Sequence, residues 1–150
     1  MVPKYRTSVD IAATRETIWS ILTDASAYAD WNPTLSQVRG NFELGESVVF
    51  VPADGGGRGF KVKVVELEPE SRLVCRGGMP FRLFTGSRTF QLGEAGDLVR
   101  FEMFEEFSGP LARLVSATMP DQQPAFDAFA TALRDASELA TKPRARRRRR

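Results

Sequence analysis

Residues 120–140 read PDQQPAFDAFATALRDASELA, and they follow a long stretch, about 35 to 107, whose periodicity is that of strands and turns. Phe126, Phe129, Leu133, Ala136 and Ala140 share one face of a helix about 30 Å long. Asp127, Arg134, Asp135 and Glu138 fall off that stripe. Asp121 suits the N-cap, and Pro124 is tolerated in a first turn. A single long helix after so many strands predicts an α+β domain in which the helix lies across a sheet.

Upstream, residues 4–10 alternate and contain Tyr5, Thr7 and Val9, so they read as a first strand. Thr14 can cap a helix carrying Ile18, Trp19, Ile21 and Leu22. Asp24 can cap a second, short one through Tyr28, which Trp31-Asn32-Pro33 ends. Strands are then expected over 38–42 and 46–51. Phe60, Val62 and Val64 alternate with Lys61 and Lys63 on the next. Glu68 to Ser71 turn the chain into the strand of Leu73 and Cys75, which runs to Gly77-Gly78. A longer strand is expected over 81–92, then a turn at 93–97. Val99, Phe101, Met103 and Phe107 line one face of the last strand, opposite Arg100, Glu102 and Glu106. Short connections favour an antiparallel meander of about six to seven strands. One helix cannot fill the concave side of such a curved sheet alone. Either large side chains fill it or a cavity remains.

Composition narrows the chemistry. The 150 residues suit one domain, with 42% hydrophobic and 27% charged residues. Phe occurs eleven times against two Trp and two Tyr, bulk without polar handles. There is no His, which removes Ser-His-Asp and Cys-His catalysis and imidazole-based zinc sites. The one Cys, Cys75, excludes an internal disulfide and reads as a small buried hydrophobe or, alternatively, a reactive thiol. No metal or cofactor is expected. Without an apolar run for a membrane span or a signal-like N-terminus, a cytoplasmic location is expected. Seven of the 21 basic residues lie in 142–150, and the remaining 14 face 19 acidic ones, a net charge of −5. The body is acidic, which speaks against a basic DNA-binding domain. The Arg-rich end is expected to be a disordered tail on a domain spanning 1–141. It offers weak contact with nucleic acid or an anionic surface, or none.

The order of elements and three local motifs resemble a known superfamily. Ala13 to Asp24, with Trp19-Ser20-Ile21-Leu22-Thr23-Asp24, resembles its first helix. Tyr28-Ala29-Asp30-Trp31-Asn32-Pro33 resembles its Trp-Asn-Pro segment after two tandem helices. Phe104 to Gly109 resembles its last strand running into a Gly turn. Over about residues 4–140 the chain is similar to the START-like, or polyketide cyclase/dehydrase and lipid-transport (SRPBCC), proteins. The resemblance implies the helix-grip fold: a curved antiparallel sheet around a long C-terminal helix, with two short helices after the first strand. It also implies an internal ligand cavity. It carries no universal catalytic residue, and the family pattern has a His where this chain has Arg88.

Candidate site residues follow from strand parity. Phe60, Val62, Phe84, Phe90, Phe101 and Met103 should face the concave side, and Phe126, Phe129 and Leu133 the same space from the helix. Tyr28 and Trp31 are placed near the mouth or in the core. Glu105 shares the parity of Phe101 and Met103, so a regular strand aims it inward, whereas a bulge would put it in water. Arg88 shares the parity of Phe84 and Phe90. If the 93–97 turn pairs Phe90 with Phe101, Arg88 lies opposite Met103 and diagonal to Glu105, within reach of an ion pair. Asp54-Gly55-Gly56-Gly57-Arg58-Gly59 lacks the Lys-Ser/Thr ending of a phosphate loop and reads as a hairpin loop. Three functions stay open: a carrier or sensor of a hydrophobic or amphipathic small molecule, lipid-like or aromatic; an aromatase or cyclase using the same cavity; and an interaction module acting through the basic tail. The first is favoured, so a non-catalytic role is expected.

Overall fold

The computed structural model describes residues 2–53 and 57–141. Asp54, Gly55 and Gly56 of the expected hairpin loop, and the 142–150 tail expected to be disordered, lie outside them. Strand β1 (Tyr5–Ile11) leads into helix α1 (Arg15–Leu22), a 3₁₀ turn (Ala25–Ala27) and helix α2 (Tyr28–Trp31). Five strands follow without a helical crossover: β2 (Leu35–Gly40), β3 (Ser47–Pro52), β4 (Phe60–Glu68), β5 (Arg72–Gly78) and β6 (Thr85–Ala95). Strand β7 (Leu98–Ser108), short helix α3 (Ala112–Ser116) and helix α4 (Gln123–Thr141) complete the chain. All strands join one antiparallel sheet in the order β1-β7-β6-β5-β4-β3-β2. No helix among the described residues is long and apolar enough to cross a membrane.

The concave face of the sheet carries the core. Val64, Leu73, Phe90, Phe101 and Met103 are buried there, against Phe126, Phe129 and Leu133 of α4 and Ile18 and Leu22 of α1. Burying each such side chain contributes about 1.5–3 kcal/mol. Thr14 caps α1 as expected, its hydroxyl accepting from the Thr17 N–H at 3.1 Å. Asp121 likewise accepts from the Gln123 N–H at 3.0 Å. Asp24 does not cap the next turn; it accepts instead from the Ser26 hydroxyl at 2.8 Å. The lower end of α4 also differs from expectation. Ser137 is buried, while Ala140 is exposed, because the inward stripe drifts from 126 through 130 and 133 to 137.

Two corrections bear on the site. The expected strand at 81–92 starts only at Thr85. Pro80 opens a 3₁₀ turn, and Phe81 and Arg82 take φ of 59° and 56°, a left-handed geometry no strand accommodates. Gly78 permits the return, since a Cβ there would lie 2.1 Å from the Phe84 carbonyl oxygen. The other correction is the β6–β7 turn. It spans two residues, not five: Ala95 pairs with Leu98 around Gly96-Asp97, with Gly96 at φ 63°. Gly96 alone supplies the positive φ a tight hairpin needs, so Gly93 and Glu94 remain in the strand. Phe90 therefore faces Met103, Leu92 faces Phe101, and Arg88 sits directly opposite Glu105.

Candidate functional site

Where β3 to β7 curl away from α4, the concave face holds a half-open cavity of about 270 Å³. Its aromatic walls are Phe50 of β3, Phe60 of β4, Phe107 of β7 and Phe84, just before β6. Phe84 and Phe107 stack at 5.5 Å with planes 19° apart, and Phe60 stands at the edge, 46% exposed. Val62 and Cys75 add to the lining, and Met119 and Gln122, just ahead of α4, also border the space.

Arg88 and Glu105 are its polar feature. Nε of Arg88 donates to Oε1 of Glu105 at 2.7 Å, and Nη2 lies 2.6 Å from the same oxygen as an ion-pair contact. The guanidinium lies 4.7 Å over the Phe126 ring and donates a long bond of 3.4 Å to Oε1 of Gln122. The two side chains retain 16% and 13% exposure. Alternation along adjacent strands aims both at the concave side, and the two-residue turn puts them face to face. Cys75 pairs with Arg88 across β5 and β6. Burial pushes its thiol up to about 12, with Arg88 opposing and Glu105 adding to the shift. It is a neutral wall group, not a nucleophile.

The expected site residues divide into three groups. Phe60, Val62, Phe84, Arg88 and Glu105 line the cavity. Phe90, Phe101, Met103, Phe129 and Leu133 lie in the closed core, and Phe126 lies beneath Arg88. They are inward as expected, but packed side chains leave no space beside them. Tyr28 and Trp31 do not stand at the mouth. Tyr28 is fully buried, its hydroxyl donating to the Leu22 carbonyl and its ring packed on Trp31, Phe42 and Phe129. Burial holds its phenol well above the usual range. The Trp-Asn-Pro segment is a structural corner: Oδ1 of buried Asn32 accepts from Thr34 N–H at 2.9 Å and from its hydroxyl at 2.6 Å.

Trp31 instead borders an open groove of about 660 Å³ along the outside of α4, with Ala128, Ala132 and Leu139. That groove is larger and more open to solvent; the deeper cavity holds the ion pair and the aromatic walls. Strand parity left out Lys61, Gly77, Gly78 and Gly86 as lining residues. The available signal was glycine within a strand, which marks close approach of another group.

The model of the family described as polyketide cyclase / dehydrase and lipid transport matches residues 2–138. No curated protein matches the sequence. Among solved structures, the chain is similar to the Zhui aromatase/cyclase from Streptomyces sp. R1128, at 15% identity and a TM-score of 0.72, covering 97% of this chain and 99% of that one. It is similar to a point mutant of norcoclaurine synthase from Thalictrum flavum bound to a transition-state analogue, at 15% identity and a TM-score of 0.70, covering 95% and 98%. The Aha1 dimer from Colwellia psychrerythraea also matches, at 19% identity and a TM-score of 0.70, covering 93% and 99%. At these identities the likeness is one of fold.

Proposed function

Because the chain belongs to the polyketide cyclase/dehydrase and lipid transport family, we propose that it binds a hydrophobic or amphipathic small molecule in the cavity of the concave face, as a carrier or sensor. The observation that carries this reading is the half-open space itself, walled by four Phe and marked by one ion pair. A space of about 270 Å³ lies just below the roughly 300 Å³ at which pockets for drug-sized ligands begin. It exceeds the roughly 150 Å³ apolar cavity that takes up benzene. A compact, ring-containing ligand suits it better than a two-chain lipid. A panel of aromatic polyketides, phenols, sterols and fatty acids tests this by thermal shift. A ligand at a hundred times its Kd is expected to raise Tm by about 5–10 °C. A panel that leaves Tm unmoved, with no co-purified molecule in native mass spectra, sinks the proposal.

A second reading, cyclase or aromatase activity, draws on the placement of Arg88 and Glu105 against the same space and on the Zhui aromatase/cyclase as a neighbour. Such catalysis runs on positioning with few polar groups. Incubation with a reactive poly-β-ketone should then change the ring pattern of the products, and Glu105→Gln and Arg88→Met should abolish the change. Product ratios equal to those without protein exclude this reading.

A further inference from the structure

Resting on the reading of the cavity as a ligand site, we infer that the ligand presents a neutral hydroxyl to Oε2 of Glu105. An Arg–carboxylate pair is commonly bidentate, each carboxylate oxygen taking one N–H. Here both guanidinium nitrogens converge on Oε1. Oε2 accepts no hydrogen bond among the described residues. An ionised carboxylate oxygen holds two acceptor sites, and Oε2 is not among the buried atoms left without a partner, so it is open to the cavity, where a ligand hydroxyl can reach it.

Gly86 keeps that oxygen uncovered. A Cβ at position 86 would lie 3.0 Å from Oε2 and 3.3 Å from the Phe107 ring. Gly86, Glu105 and Phe107 all line the cavity, so the space a side chain would take is part of it. Glycine inside a strand is a local weakness, and at this position it opens a lane from the cavity to a free acceptor.

Charge selects the donor. A ligand carboxylate that reaches Gly86 meets the negative Glu105, whose cation Arg88 is already engaged; the other lining cation, Lys61, is an exposed residue of β4 and is not paired with Glu105. A ligand ammonium meets Arg88, whose Nη2 is 2.6 Å from the same carboxylate. A hydroxyl supplies a donor and no charge. The rings of Phe50, Phe60, Phe84 and Phe107 suit the faces of an aromatic body. The ligand class is therefore a compact hydroxylated aromatic.

Equilibrium dialysis of three matched probes tests this on the full chain: 2-naphthol, naphthalene and 2-naphthoate. A hydrogen bond to a charged acceptor predicts 2-naphthol binding on the order of tenfold tighter than naphthalene. The naphthoate is expected to bind weakest. Gly86→Ala, whose Cβ covers Oε2 and takes some of the cavity, is read by the naphthol-to-naphthalene affinity ratio within the variant, which is expected to fall from about ten to about one; its melting temperature checks the fold. Should Gly86→Ala fail to fold, Glu105→Gln carries the test, with the same loss of preference. Equal affinity for naphthol and naphthalene, or tightest binding of the naphthoate, overturns the hydroxyl inference and leaves the cavity reading standing. If none of the three binds, naphthalene included, the cavity reading falls with it.

Discussion

Arg88 and Glu105 face each other on neighbouring strands and are mostly removed from water. Removing one member of such a pair leaves an uncompensated charge, whereas replacing both with apolar groups need not destabilise. Arg88→Met and Glu105→Met are each expected to cost about 3 kcal/mol in urea unfolding, and the double variant less than either. A double variant that costs the sum of the two would mean that the pair is not coupled. Cys75 gives a second prediction. Its thiol moves from an ordinary 9.0 to about 12 in the folded chain because it is buried. Above the ordinary value the unfolded chain releases a proton that the folded chain keeps, so stability falls as pH rises. Urea midpoints should decline between about pH 9 and 10, and Cys75→Ala should flatten that decline. An equal slope in the variant would assign the decline elsewhere.

The elements were largely legible because their apolar periods are strong. Phe126, Phe129 and Leu133 announce α4, and the alternation of Phe60, Val62 and Val64 announces β4. The cavity was less legible, because its position depends on register and on small residues. Reading 93–97 as one wide turn displaced the β6–β7 pairing by two residues, enough to set Arg88 opposite Met103 instead of Glu105. Gly77 and Gly86, which help to shape the cavity, resemble strand breakers when met in sequence. Trp31-Asn32-Pro33 stands out in sequence as a family-like motif, and its hydrogen bonds serve a corner. The β5–β6 connection shows another limit of pattern. Phe81 is apolar, so it was assigned to a strand, but it is 93% exposed in a left-handed conformation. That conformation costs an L-residue about 1–2 kcal/mol, and glycine adopts it freely. Phe81→Gly is expected to raise stability by about 1 kcal/mol in denaturant unfolding. A loss of stability would mean that the ring is held by contacts.

At the scale of the molecule, helix α4 ends at Thr141 and the family match ends at 138. We propose that the folded unit stops there. A chain cut after residue 141 is expected to melt at the same temperature as the full chain, and a marked drop would place the basic end within the folded unit. The sheet order carries a different consequence. Strands β1 and β2 are successive in the chain yet occupy opposite edges, and Tyr5 pairs with Glu105. During synthesis the first strand emerges long before its neighbour exists. At ribosomal rates of about 5–20 residues per second, it waits roughly 5–20 s for β7. Residues 5–11 are thus nascent chain without a partner for most of translation, a window in which a chaperone has more to hold than it will ever have again.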